Sequence, residues 1–229
     1  MKYTPGIAIG AASGSIGGTT FSRNRYGAYT RVRAIPVNPN TLPQQNARSR
    51  LSTYSALWQT MTSSDQLAWK NWAEQNPITN SLGQQQVLTG QAAYVGVNTR
   101  LHQAGDTALT VPPLEPAPAG LLTMSGTWDI GIGTFLLSFT ATPLAADERL
   151  WIQAAVVGSA GITYVKNLLR VIDITAAAQT TDIDTQTDIE AVFGSLGVGM
   201  SVHIWASVFG TGTGLLSTPL STKGVVVST

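Results

Sequence analysis

Histidine and serine are the first side chains to consider for chemistry, because a serine nucleophile needs a histidine base nearby. The 229 residues contain two histidines, His102 and His203. We place His102 near a helix end and His203 on the polar face of a strand, and we predict that both are surface residues. A G-x-S-x-G turn, which would expose a serine nucleophile, is missing from the sequence. We therefore predict that the protein is not an enzyme; the alternative is a hydrolase with a divergent site that uses these histidines.

A cluster of four acidic residues is the best candidate for a metal site. It consists of Asp182, Asp184, Asp188 and Glu190. An EF-hand loop that began at Asp182 would need glycine at its sixth position and glutamate at its twelfth, where this chain has Thr187 and Phe193. We predict a solvated loop with Asp188 in the first turn of a short helix, and a weak cation site is the alternative. No metal and no other cofactor is expected.

The glycine-rich beginning of the chain does not form a phosphate-binding loop. Such a loop needs lysine followed by serine or threonine, because the lysine contacts the phosphates. Gly18 is followed by Thr19 and Thr20, and no lysine stands there. The glycines instead predict a flexible arm whose backbone can approach another backbone closely.

Residues 19–33, TTFSRNRYGAYTRVR, combine β-branched, aromatic and basic side chains. This composition predicts an extended strand or a hairpin, with Gly27 near the bend. We predict an interface with an acidic protein surface; a nucleic-acid contact or a clamp within the chain are the alternatives. The predicted interface residues are Phe21, Arg23, Arg25, Tyr26, Tyr29, Arg31 and Arg33.

The charge of the chain is low in total and uneven in its distribution. Charged residues make up 11%, well below the roughly 25% of typical globular proteins. The first 64 residues carry seven basic and no acidic side chains, and the remainder carries six basic and twelve acidic ones. Opposite signs in the two parts favour contact between them, within one chain or between copies.

Two further classes of protein are not favoured by the sequence. The chain has no cysteine and no apolar run of 18 residues, so it offers no thiol chemistry and no membrane-spanning helix. We do not interpret the N-terminus as a signal peptide, because glycine and serine interrupt its apolar stretch and Pro5 stands where a helical core should begin.

The hydrophobic pattern predicts four segments and an α+β multidomain protein. Residues 1–40 form an extended arm rich in glycine and arginine, and 41–110 form a small helical domain with helices near 41–61, 62–76 and 90–104. Residues 111–120 contain four prolines and predict a semi-rigid linker. Alternating apolar residues then predict about seven strands, so 121–229 is expected to be an antiparallel, Ig-like or fibronectin-III-like β-sandwich.

The N-terminal half resembles a group of tailed-phage structural proteins over roughly residues 14–104. The resemblance lies in Phe21-Ser-Arg-Asn-Arg-Tyr-Gly27, Pro36-Val-Asn-Pro39 with Thr41 and Gln44, Trp58, the pair Trp69 and Trp72, and Thr89-Gly-Gln91 with Tyr94 and Asn98. It implies a virion component and supplies no catalytic residue. The C-terminal part is similar to Ig-like domains appended to phage capsid and tail proteins.

We therefore expect a structural virion protein that is assembled in the host cytoplasm and is head-associated, as a capsid decoration or minor capsid protein. Its expected partners are other virion proteins and copies of itself in a homo-oligomer; nucleic acid is not a favoured partner, and no membrane is expected. The alternative is a tail or fibre component whose β-sandwich contacts a host surface or glycan. The tryptophans Trp58, Trp69 and Trp72 are expected to form local core, and an anchoring role at an interface is the second interpretation.

Overall fold

The computed structural model describes residues 12–24, 27–35, 37–79, 83–140, 144–180 and 182–228. The chain separates into two compact units, Met1–Asn46 and Ala47–Thr229. Within the described residues the architecture is mixed, with four helices and several antiparallel sheets. None of the helices in these ranges is long and apolar enough to cross a membrane.

The first unit contains a three-stranded antiparallel sheet. Its strands are β1 (Gly14–Ile16), β2 (Thr19–Asn24) and β3 (Gly27–Val32), in that order across the sheet. The hairpin predicted near Gly27 is confirmed, and Gly27 has a φ of 110°, which favours glycine. The additional strand β1 lies in the stretch for which the glycines predict a flexible arm.

Three helices follow at the predicted positions: α1 (Leu42–Thr60), α2 (Ser63–Gln75) and α3 (Gly90–Ala104). Thr62 caps α2 by accepting a 3.2 Å hydrogen bond from the backbone N–H of Asp65. Gly105 ends α3 in the left-handed conformation at a φ of 77°. A short ribbon of β4 (Ile78–Thr79) and β5 (Gln85–Gln86) lies between α2 and α3.

The rest of the chain builds two antiparallel sheets. In chain order, the elements are β6 (Thr123–Gly126), β7 (Leu136–Thr140), β8 (Glu148–Val157), β9 (Arg170–Ile174), β10 (Ile183–Asp184), α4 (Gln186–Phe193), β11 (Ser201–Gly210) and β12 (Leu220–Val225). One sheet has the order β10-β7-β6 and the other has the order β12-β11-β8-β9. Asp188 lies in the first turn of α4, as predicted.

The main core lies between these two sheets. Leu137 and Phe139 of β7 share one cluster with residues of β8 and β11, and Ile189 of α4 joins them. The period-two alternation predicted which side chains point inward, and these are Leu150, Ile152 and Ala154 on β8 and Val202, Ile204, Ala206 and Val208 on β11. Burial of these apolar side chains is the main stabilising contribution to this part of the fold.

A second core forms where the helices cover the outer face of the four-stranded sheet. Trp151 of β8 and Phe209 of β11 lie in this cluster, with ring centroids 5.6 Å apart. Trp69 is fully buried in it and donates a 2.9 Å hydrogen bond from Nε1 to the carbonyl of Thr110. Trp58 and Trp72 pack against the same cluster, so all three helical tryptophans belong to the core.

The compact unit Ala47–Thr229 therefore includes both the helices and the two sheets. The sequence placed a linker at 111–120 between a helical domain and a β-domain. Whether 121–229 folds independently stays a prediction, but Trp151 and Phe209 would lose the cover of α2 and α3 in such a fragment.

Candidate assembly interface

The register of the N-terminal sheet separates its side chains onto two unlike faces. Residues directly opposite each other in an antiparallel pair point to the same side of a sheet. Ile16 lies opposite Thr19, Thr19 opposite Val32, and Phe21 opposite Thr30. One side therefore carries Ile16, Phe21 and Val32 together with Thr19 and Thr30, and we call it the apolar sheet face. The other side carries Ser15, Thr20, Ser22, Tyr29 and Arg31.

The apolar sheet face is open to solvent in the isolated chain. Ile16 is 76% exposed and Val32 is 84% exposed. Among the described residues from 12 to 46, none is buried. A small sheet needs a covered hydrophobic face or a packed helix for stability of its own. The large apolar side chains Ile16 and Val32 are therefore left uncovered on this sheet.

The structure divides the predicted interface residues between the two faces. Phe21 and Arg23 lie on the side of the apolar sheet face, while Tyr29 and Arg31 lie on the opposite side. Arg33 follows β3 and is exposed, and its backbone N–H donates a 2.8 Å hydrogen bond to the carbonyl of Gly18. The two remaining predicted residues, Arg25 and Tyr26, lie outside the described residues.

Sequence reasoning did not select Ile16 and Val32 for this interface. The predicted interface consisted of aromatic and basic side chains, whereas the register shows that two aliphatic residues from the outer strands flank Thr19. The available signal was the period-two spacing of Thr19, Phe21 and Arg23, which assigns one face of β2. The pairing of β1 with β2, which brings Ile16 to that face, carries no comparable local signal.

The helix α1 also carries exposed apolar side chains. Residues 42–49 are all exposed, and Leu42 is 68% accessible although it is a large apolar residue. Farther along the helix, Leu51 and Leu57 are also exposed, at 55% and 44%. Tyr54, by contrast, is buried in the core shared with α2 and α3. Only one side of α1 is therefore used by contacts within the chain.

An acidic surface occurs on the second unit around α4. Burial raises the pKa of Asp188, and the negative charges of Asp173 on β9 and Asp184 on β10 raise it further. Two neighbouring carboxylates, one from β9 and one from β10, therefore disfavour ionisation of Asp188. A basic side chain from a partner would relieve this repulsion. We call Asp173, Asp184 and Asp188 the acidic patch.

The acidic patch does not have the geometry of a metal site. No group of three or more histidine, cysteine, aspartate or glutamate residues in the described ranges is arranged to hold a metal ion. The Oδ1 of Asp184 instead accepts a 2.9 Å hydrogen bond from the backbone N–H of Phe135 and a 3.0 Å bond from that of Gln186. Asp184 thus positions the loop before β7 and the start of α4.

The two histidines have different environments, and the prediction that both lie at the surface is wrong for His203. His102 is exposed in the last turn of α3 and its Nδ1 lies 3.1 Å from the hydroxyl of Tyr54. His203 is only 5% exposed, because the segment 163–166 and β12 surround it on the outer face of β11. The two histidines do not form one site, because His102 contacts Tyr54 and His203 lies beside Trp205 and Lys223.

Comparison with known proteins assigns no family to this chain. No protein-family model matches it, and no curated protein matches it. A matching solved structure is the crystal structure of a Fn3-like protein from Clostridium thermocellum. That protein is 16% identical, and the match covers 50% of this chain and 96% of the other, with a TM-score of 0.30.

Proposed function

We propose that this chain is a non-catalytic structural subunit of a tailed-phage virion, head-associated as a decoration or minor capsid protein, that binds neighbouring copies through its N-terminal arm. The single observation that carries the proposal is the exposed apolar sheet face on a unit with no buried residue between positions 12 and 46 in the described ranges. The phage assignment rests on the sequence resemblance of residues 14–104. We also propose that 121–229 is an Ig-like β-sandwich, which the shared core of its two antiparallel sheets supports.

The proposed occupant of the apolar sheet face is a second copy of the same chain. Charge favours this occupant, since the first 64 residues are basic without any acidic side chain and the remainder is acidic. Arg23, which lies on the side of the apolar sheet face, would contact the acidic patch of the next copy. Such contacts give specificity and register, while apolar burial supplies most of the affinity.

The strand β3 adds a second way of binding. It is one of the two edge strands of the N-terminal sheet, and β1 is the other. An exposed edge can extend its sheet with a strand from another chain through main-chain hydrogen bonds. We propose that the apolar sheet face and this edge act together, so that copies interlock through their arms.

Site-specific photo-cross-linking tests this contact directly. A benzophenone side chain replaces Val32 on the apolar sheet face in one variant and Ser22 on the opposite face in a matched control. We expect cross-linked dimers from position 32, with the attached peptide mapped by mass spectrometry to another copy. Equal cross-linking from both positions, or none from position 32, would contradict a specific role for the apolar sheet face.

A second candidate function is that of a tail or fibre component whose β-domain contacts a host surface or glycan. The observation that favours it is a cavity beside His203 on the outer face of the four-stranded sheet. Location of the subunit in purified particles by immuno-electron microscopy distinguishes the two, since head labelling supports the first proposal and tail labelling supports the second.

A further inference from the structure

The outer face of the four-stranded sheet has a second half that the helices do not cover. Phe209 and Trp151 lie under the helices at one end. Toward the other end of β11, Trp205 and His203 border a cavity of about 370 Å³. The segment 163–166 forms one wall of this cavity and β12 forms another. A cleft of this size is in the range that small molecules occupy.

His203 brings an unused hydrogen-bonding atom to this cavity. The residue is 5% exposed, and its Nε2 has no hydrogen-bond partner among the described residues. Burial lowers the pKa of His203 and the charge of Lys223 lowers it further, while a hydrogen bond to the backbone of Ile162 raises it. When the neutral ring carries its proton on Nδ1, Nε2 is a hydrogen-bond acceptor. A buried acceptor without a partner is costly, so a ligand hydroxyl would satisfy it.

Two lysines give the cavity a positive charge. Lys223 lies directly opposite His203 in the pairing of β11 and β12, so both side chains share the outer face. Lys166 contributes a second ammonium group from the facing wall. Neither lysine forms an ion pair within the described residues, and no acidic residue lines the cavity. The unbalanced charge favours a ligand with a carboxylate.

Aromatic side chains complete the lining. Trp205 is half-buried and lies opposite Ser221, whose hydroxyl is on the same face. Tyr164 is 74% exposed at the mouth of the cavity. An aromatic ring beside hydroxyl and ammonium groups suits a molecule that is apolar on one face and bears hydroxyls at its edge, as a pyranose ring does.

We propose that this cavity binds an acidic saccharide, with its carboxylate on Lys223 and Lys166, a hydroxyl donating to Nε2 of His203, and its ring against Trp205. This site is independent of the arm and of the assembly proposed above. It uses residues of β11, β12 and the segment 163–166, none of which contributes to the apolar sheet face.

The test is isothermal titration calorimetry of the full chain with D-glucuronate, D-glucose and acetate. We expect a Kd of about 1 mM for glucuronate, the affinity that ordinary ligand efficiency gives for a molecule of this size. Glucose lacks the carboxylate and acetate lacks the ring, so each should bind at least about tenfold more weakly. Equal affinity for glucose or acetate, or no heat with glucuronate, would overturn the proposal.

Variants assign the binding to this cavity. Lys223→Met removes an exposed charge and should weaken glucuronate binding about tenfold without loss of the fold, and His203→Phe should weaken it by removing the acceptor. Lys70→Met, an exposed lysine of α2 outside the cavity, is the matched control and should bind as the wild type does. If Lys223→Met retains full affinity while it melts like the wild type, the cavity is not the site.

Discussion

Arg149 on β8 binds Asp106, two residues beyond the end of α3, through a 2.8 Å contact between Nη2 and Oδ1. The same guanidinium donates a 2.6 Å hydrogen bond from Nη1 to the carbonyl of Ala104, the last residue of α3. The two side chains are 25% and 12% exposed, so water screens the pair only in part. This contact fixes the C-terminal end of α3 against the four-stranded sheet.

Replacement of Arg149 by methionine should therefore destabilise the protein. Asp106 would keep its charge in a partly buried position without its partner, at a cost of about 1–3 kcal/mol, between the values for exposed and fully buried pairs. Urea unfolding measures this change in the free energy of unfolding. The double variant Arg149→Met/Asp106→Asn should recover part of the loss; if the two single changes simply add, the side chains are not coupled.

The indole of Trp128 lies against two glycines, Gly126 on β6 and Gly224 on β12. A methyl group added at Gly126 would stand 2.6 Å from the ring, and one added at Gly224 would also overlap it. Gly224→Ala should thus lower the free energy of unfolding by about 1–3 kcal/mol, the usual cost of overpacking. Gly96→Ala in α3 is the control, because open space surrounds that position and alanine favours helix. Thermal melts should move in opposite directions for the two variants.

His203 should make stability dependent on pH in the acidic range. Burial and Lys223 lower its pKa in the folded protein below the ordinary value of 6.5. As the pH falls below 6.5, the unfolded chain takes up a proton that the folded protein does not, so the free energy of unfolding decreases. His203→Phe should reduce this slope between about pH 6.5 and pH 5. An unchanged slope in denaturant titrations at these two pH values would show that His203 titrates normally.

Asp188 should make the free energy of unfolding depend on pH in the opposite direction. Burial and the charges of Asp173 and Asp184 raise its pKa above 3.8 in the folded protein. At neutral pH the charged carboxylate therefore lowers the free energy of unfolding. As the pH falls through the raised pKa, the carboxylate takes up a proton and this destabilisation disappears. Asp188→Asn should raise the melting temperature at pH 7 and lose that advantage in acid. Asp182→Asn, at an exposed position, removes the same charge and should change the melting temperature less.

Local signals in the sequence predicted most of the secondary structure. Thr62 and Gly105 mark helix ends by capping chemistry that acts within a few residues, so α2 and α3 begin and end where expected. The strict alternation along β8 and β11 identified the inward side chains for the same reason. These features depend on neighbours in the chain and not on distant contacts.

Contacts between distant segments were not predictable in this way. His203 has the sequence environment of a polar strand face, yet the segment 163–166 and β12 bury it. The alternation along β8 and β11 also places Trp151 and Phe209 on the outer face of the sheet. They are buried there by packing against α2 and α3. Similarly, Ile16 and Val32 become one surface through the pairing of β1 and β3 with β2.

We claim that copies assemble through the apolar sheet face, and sedimentation equilibrium of the full chain over a range of concentrations is the test. We compare the wild type with Ile16→Asp/Val32→Asp, which places two charges on that face, and with Ser22→Asp on the opposite face of the same sheet. The wild type and Ser22→Asp should show masses that are multiples of the 24.1 kDa monomer, and the double variant should remain a monomer. A wild type that is monomeric at every concentration, or a double variant that associates as the wild type does, would contradict the claim.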